Sequence, residues 1–185
     1  MIMGRVQDKT ALVTGAASGI GRAIALMLAK HGAQVVVTDL TEGAAREVVD
    51  EIISEGGKAF FEPLNVSDSA QWAEVTSAVK ARCGGLDILV NNAGGSLQTP
   101  ALFEQESDDD WKRVLDLNIM GTVWACRQAL PLMHNSLQQP ARTLTPSVDA
   151  LLSDMAKYDA LHPVLTGSGS ACFSICRTAK EASQL

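Results

Sequence analysis

An α/β fold built on a doubly wound parallel sheet is predicted by three observations. Short β-branched runs alternate with longer amphipathic stretches from Lys9 to Val90, a glycine-rich loop joins the first run to the first stretch, and an aspartate closes the second run. The runs are TALVT (10–14), QVVVT (34–38), AFFEP (59–63) and DILVN (87–91). Between them, apolar residues at i, i+3 and i+4 spacing predict helices near 19–31, 41–56 and 68–83. Four parallel strands joined by crossover helices are therefore expected.

Residues 108–133 read as one long helix, because three aspartates at its start complement the helix dipole and Pro131 falls near its end. Trp111, Val114, Leu115 and Leu117 are expected to supply its buried face. The stretch HNSLQQPARTLTP (134–146) then breaks the rhythm with Asn, Gln and two prolines, and no fifth β-run appears where a doubly wound sheet would want one. The sheet is expected to be truncated after its fourth strand and completed by a foreign α+β tail, giving a dinucleotide-binding domain over 1–136 and a segment over 137–185 packed on it as one compact unit. In that tail Thr145 is expected to cap and Pro146 to open a helix with an apolar stripe of Val148, Leu151, Leu152 and Met155. A strand at PVL, a Gly/Ser loop, a second strand near 171–176 and a short terminal helix complete the expectation.

Charge follows the same division. Residues 1–136 carry 17 acidic and 11 basic side chains, whereas 137–185 carry four of each. A net charge of -6 offers no broad basic surface, so nucleic acid is not an expected partner. The 46% hydrophobic content of 185 residues supports a folded domain with a substantial core. Cys83, Cys126, Cys172 and Cys176 form no CxxC pair, so reduced, buried thiols in a reducing cytoplasm are expected rather than a metal site. The N-terminus MIMGRVQDKTALV places charges where a signal peptide needs an apolar core, and no apolar run approaches the roughly 20 residues that span a bilayer. Neither export nor membrane insertion is expected.

The loop TGAASGIG (14–21) carries the candidate chemistry. Gly15 allows the tight turn, Gly19 lets backbone approach a pyrophosphate, and Gly21 lets helix and strand pack closely; Ser18 and Ile20 belong to the same cradle. The N–H groups at the helix start face the anion. Asp39 stands 18 residues beyond Gly21, where a carboxylate accepts from an adenosine ribose diol and repels a 2′-phosphate, which favours NAD over NADP.

With DILVNNAGG (87–95) and LDLNIMGT (115–122) added in order and at the right spacing, residues 5–133 resemble the amino-terminal two-thirds of a short-chain dehydrogenase/reductase. The resemblance implies a Rossmann-like sheet and an NAD(P)-dependent oxidoreductase. It also implies that Asn65 and Val66 flank the adenine, that Asn91, Ala93 and Gly94 line the cofactor path, and that Asn118 is the helix asparagine that holds a water in the proton relay. The family more often has an acidic residue where this chain has Asn65. Family dimers often use the helix that spans 108–133 here, which implies a homo-oligomer.

The family's proton donor is a tyrosine with a lysine at i+4, a spacing that puts the ammonium beside the phenol on one helix face. Tyr158 is the single tyrosine of the chain, and it has Lys157 beside it and His162 at i+4. A mostly neutral, shorter histidine cannot depress a phenol pKa as a lysine does, and His162 precedes Pro163, where helix is disfavoured. Tyr158 is thus expected to be a packing residue, and the fifth-strand serine of the family is absent. The tail RTLTPSVDALLSDMAKYDALHPVLTGSGSACFSICRTAKEA (142–182) instead resembles the carboxy-terminal part of the galactokinase, homoserine kinase and mevalonate kinase superfamily, closest to the diphosphocytidyl-methylerythritol kinases. LTGSGSACF matches their last glycine motif. A chimera joined near 134–142 is expected, with catalysis doubtful. The alternative is a folded chimeric protein with neither ligand nor activity.

Overall fold

The structure, a computed structural model, describes residues 4–96, 105–133, the single positions 143, 146, 150 and 153, and the segments 161–165 and 172–175. The chain divides into two compact units, Met1–Met133 and His134–Leu185.

The first unit holds the predicted parallel sheet. Its strands are β1 (Thr10–Thr14), β2 (Gln34–Asp39), β3 (Lys58–Pro63) and β4 (Ile88–Val90), in the spatial order β3-β2-β1-β4. The register pairs Leu12 with Val36 and with Leu89, and Val36 with Phe60. The strand order reverses between β1 and β4, the switch point of a doubly wound sheet, where ligands of such sheets sit at the carboxyl ends of the strands. Helices α1 (Gly19–Lys30), α2 (Glu42–Ser54) and α3 (Ser69–Cys83) supply the crossovers.

Alternation along the strands divides the core between two faces. Ala11, Val13, Val35 and Val37 meet Ala25 and Ala29 of α1 and Ala45, Val48 and Ile52 of α2. Leu12 and Val36 face the other way, onto Trp72, Val75 and Val79 of α3 and onto Ala125 and Ala129. The two inner strands are hydrophobic through their centres, at Ala11–Val13 and Val35–Val37, because helices cover both of their faces. Two terminators are visible in α3: Asp68 accepts from the backbone N–H groups of Ala70 and Gln71, and Gly84, with φ of 79°, ends the helix in the left-handed region.

The predicted single helix over 108–133 is broken. It consists of α4 (Asp108–Leu115), a π-helical turn (Asp116–Met120), α5 (Gly121–Ala129) and a 3₁₀ turn (Leu130–Leu132) that contains Pro131. Ser107 and Asp110 form a reciprocal capping box at its start. The expected buried face is corrected too. Leu117 packs against the core, but Trp111 and Leu115 are exposed, as are Ile119, Val123 and Leu130. Periodicity located an apolar face, and the described residues do not cover it. After the 3₁₀ turn, Met133 forms one parallel bridge with Leu86, and the Leu86 N–H donates to Leu132 O at 3.1 Å.

In the second unit Thr143, Pro146, Ala150 and Ser153 are helical and exposed, so helix is already present at Thr143, ahead of the predicted opening at Pro146. The Thr145 cap, the apolar stripe of that helix and the terminal helix lie outside the described residues. Strands β5 (Leu161–Leu165) and β6 (Cys172–Ile175) pair antiparallel, with an irregularity between Leu161 and Val164. β5 begins two residues before the expected start at Pro163, which places His162 within a strand. Among the described residues no helix is long and apolar enough to cross a membrane. The expectation that the cysteines are buried fails at Cys126, which is exposed, while Cys83 is half-buried.

Candidate functional site

The loop between β1 and α1 is shaped by backbone constraints. Gly15 has φ of 62°, and a Cβ there would lie 3.0 Å from Ala93 Cα. A Cβ on Gly21 would lie 2.2 Å from Gly15 O, far inside contact distance, so only glycine lets α1 come this close to the loop. Gly19 differs from both. It has φ of 53°, yet a Cβ there would meet nothing within 4 Å. The loop is therefore open in front of Gly19, on the side where an anion would approach. The first helical bond of α1 runs from Arg22 N to Ser18 O at 3.1 Å, which leaves the N–H groups ahead of it without partners inside the helix. The Ser18 side chain makes no capping bond to them.

Asp39, at the end of β2, is half-buried beside this loop. Its Oδ2 accepts from Ala17 N at 3.0 Å and its Oδ1 from Thr41 N at 2.9 Å. Each carboxylate oxygen retains a further lone pair for a ligand hydroxyl. Ile20 and Leu40, neighbours in sequence to the loop glycines and to Asp39, are each 74% exposed.

Across the switch point, the segment after β4 is tied to the loop by two residues. Thr14, 1% exposed, donates through Oγ1 to Val90 O and accepts from the N–H groups of Asn92 and Ala93, both at 3.0 Å. The Asn92 amide donates to Thr14 O at 2.9 Å and to Gly15 O at 3.2 Å. These residues carry the junction; both lie within the quoted motifs, TGAASGIG and DILVNNAGG, but neither was given a role of its own. The usable signal was the asparagine pair at the end of an apolar strand, where an unpaired amide would be costly. Asn91 is exposed and its amide lies 3.9 Å from Cys126 Sγ; Ala93 is half-buried against Gly15, and Gly94 is exposed.

Asn118 sits in the π-helical turn, and its side chain is already engaged. Its Oδ1 accepts from Gly95 N at 3.0 Å, and its Nδ2 donates to Gly95 O at 2.8 Å and to Val114 O at 2.9 Å. That amide grips both backbone groups of Gly95 while also donating to the Val114 carbonyl one turn back. A Cβ on Gly94 would lie 2.7 Å from Asn118 Oδ1, so the small residue and the clamp go together.

Asn65 and Val66 are held from below. Asn65 N donates to Gln71 Oε1 at 2.7 Å, Asn65 Oδ1 accepts from Ser67 N at 3.0 Å, and the Trp72 indole donates to Val66 O at 3.1 Å. A Cβ on Gly121 would lie 3.1 Å from Val66 O, which seats the start of α5 against the same segment. Tyr158, expected to be a packing residue, and Lys157 lie outside the described residues. A separate cavity of about 1000 Å³ opens at the opposite end of the sheet, lined by Arg5, Lys30, His31, Glu55 and Lys58 among others. Helices α1 and α2 both end there, and their negative dipole ends disfavour an anion, so this is not the diphosphate site.

Comparison with known proteins gives two family matches that overlap over residues 123–142. The short chain dehydrogenase family model matches residues 9–142, and the model for the C terminal of GHMP kinases matches 123–185. The chain is 40% identical over 137 residues to a 3beta-hydroxysteroid dehydrogenase of Mediterraneibacter gnavus, covering 73% of this chain and 49% of that protein. It is 39% identical over 186 residues to a short chain dehydrogenase of Pseudocercospora fijiensis, covering 93% and 60%. The chain thus spans about half the length of the curated relatives it matches. Among solved structures, a short-chain dehydrogenase/reductase of Burkholderia xenovorans superposes with a TM-score of 0.66 at 34% identity, over 75% of this chain and 54% of that one. A metagenomic short-chain oxidoreductase in complex with NADP gives 0.65 at 32% identity, over 69% and 57%. With the four-stranded parallel sheet, the glycine loop at its switch point and a family match across most of its length, this chain belongs to the short-chain dehydrogenase family.

Proposed function

We propose that this chain binds a nicotinamide dinucleotide, NAD in preference to NADP, at the carboxyl ends of β1, β2 and β4, and that it does not turn over substrate as its relatives do. The observation that carries the first part is the open space before Gly19 at the head of α1, with Asp39 next to it. The loop N–H groups would hold the diphosphate, Asp39 the adenosine ribose, and Asn65 and Val66 the adenine edge. Asn91, Ala93 and Gly94 would line the path toward the nicotinamide. When bound, the dinucleotide would supply a hydride donor or acceptor.

The preference for NAD rests on charge. A 2′-phosphate on the ribose would stand against the Asp39 carboxylate, and the neighbours Ala16, Ala17, Leu40 and Thr41 offer no cation to offset it. The metagenomic oxidoreductase solved with NADP has the same fold, so the preference proposed here rests on Asp39 and not on the fold.

Lack of turnover is supported by the chain's own residues. Tyr158 has no lysine at i+4, and His162 belongs to β5, so a helical phenol–cation pair is not available to it. The kinase-type match over 123–185 favours the reading that a dehydrogenase segment is fused to a foreign tail. A second copy of the chain is proposed as the partner of α4 and α5. Leu115, Ile119, Val123 and Leu130 present an exposed apolar stripe, and an antiparallel pair of these helices sets the acidic first turn of one against Arg127 of the other.

Calorimetric titration with NAD and NADP tests the binding reading. Saturable NAD binding, weaker NADP binding and loss of both in Gly19→Val are expected, since a branched side chain at that positive φ strains the turn and occupies the phosphate space. No NAD binding at millimolar concentration by the folded protein would overturn it. Steady turnover of simple alcohols or ketones would overturn the claim of inactivity.

A further inference from the structure

Each oxygen of the Asp39 carboxylate already accepts one bond from the protein before any ligand arrives. Two loop N–H groups reach across to the end of β2: Ala16 N donates to Thr38 O at 3.1 Å, and Ala17 N donates to Asp39 Oδ2 at 3.0 Å. The first partner is main chain and survives any substitution. The second is a side chain, on a residue whose assigned task is to read the ribose. Ala17 is 9% exposed, so without that oxygen its N–H has little water to turn to. The other carboxylate oxygen accepts from Thr41 N in an exposed turn, where water replaces it easily.

We propose that Asp39 is a positioning residue for the diphosphate loop as well as the ribose-reading residue, so that removing its side chain loosens diphosphate binding instead of simply admitting NADP. The proposal rests on the reading that this loop binds a nicotinamide dinucleotide. Its physical content is that charge and acceptor separate on substitution. Asp39→Asn removes the charge but keeps an oxygen for Ala17 N, with the amide N–H₂ turned toward solvent near Thr41. Asp39→Ala removes both. A residue that acted on the ribose alone would give two variants with the same behaviour toward NADP.

The test has one arm with ligand and one without. By calorimetry, Asp39→Asn is expected to tighten NADP relative to NAD, whereas Asp39→Ala weakens both cofactors by about tenfold or more, the equivalent of one buried hydrogen bond. A merely structural defect would lower both affinities in both variants and leave the NADP to NAD ratio of Asp39→Asn unchanged, which would overturn the proposal. So would Asp39→Ala binding NADP as tightly as Asp39→Asn. In the ligand-free protein, hydrogen exchange at the Ala17 amide is expected to be slow in the wild type and in Asp39→Asn and fast in Asp39→Ala. The Ala16 amide, bonded to Thr38 O, serves as the internal control. Equal protection of Ala17 in all three would overturn the loop role. If the wild type binds neither cofactor while Ala17 exchange still follows the side chain at 39, the cofactor reading falls and the loop-holding role stands.

Discussion

The head of α1 and the outer side of α4 and α5 are built on opposite terms. At the first, polar groups close on one another: Thr14, Asn92, Ala17 and Asp39 pair within the chain, and the space in front of Gly19 stays open. Along the second, Leu115, Ile119, Val123 and Leu130 each keep about half of their surface exposed. The contrast separates a region whose polar groups find partners within the chain from a surface whose apolar content is surplus to the monomer's own core.

Substitutions sharpen this contrast in a definite order. Trp72 is fully buried under the second face of the sheet and donates to Val66 O, so Trp72→Ala is expected to cost about 3–5 kcal/mol in denaturant unfolding, with an added penalty at the orphaned carbonyl. Gly21→Ala follows, at about 3 kcal/mol, because its Cβ meets the backbone oxygen of Gly15 and not a movable side chain. Asn118→Ala is expected to cost about 1 kcal/mol, since the Gly95 groups it releases are exposed to water. Its distinguishing sign is faster hydrogen exchange at the Gly95 amide. On the outer surface, Ile119→Ser is expected to change monomer stability by no more than about 0.5 kcal/mol while weakening self-association in sedimentation. A large loss of monomer stability there would show that the stripe is covered within one chain, and would break the comparison.

The cysteines give the smallest effect. Burial pushes the Cys83 thiol up, only partly offset by its hydrogen bond with Thr10 and by the nearby Arg82. At pH 7 a maleimide should therefore label exposed Cys126 well before Cys83, as read by peptide mass spectrometry. The sign for stability follows from the same shift. The folded thiol holds its proton more tightly than the unfolded one, so its contribution is present below the unfolded thiol's pKa and is lost as pH rises through the folded value.

What was legible in the sequence was what local composition dictates. β-branched runs placed β1 and β2 within a residue of their observed limits, because inner parallel strands are apolar on both faces. The position of Asp39 followed from counting beyond the glycine loop. The Thr14 hub was not legible, since its partners at Val90, Asn92 and Ala93 lie more than 70 residues away and a threonine ending a strand carries no mark of them. The π-helical turn was equally hidden: DLNIM has ordinary helical spacing, and the partner of Asn118 within that turn, Gly95, lies 23 residues away. Trp111 and Leu115 were expected to be buried because the apolar period is real; a period does not say what covers it.

The central claim is that the chain completes the adenosine and diphosphate half of a cofactor site but not the reactive half. Titration of ADP-ribose beside NAD, in the same calorimeter and with the same protein, tests it directly. The account predicts saturable binding of both with affinities within about threefold, a difference of about 0.7 kcal/mol. NAD binding a hundredfold tighter than ADP-ribose would contradict it, because the nicotinamide half would then have a built pocket of its own.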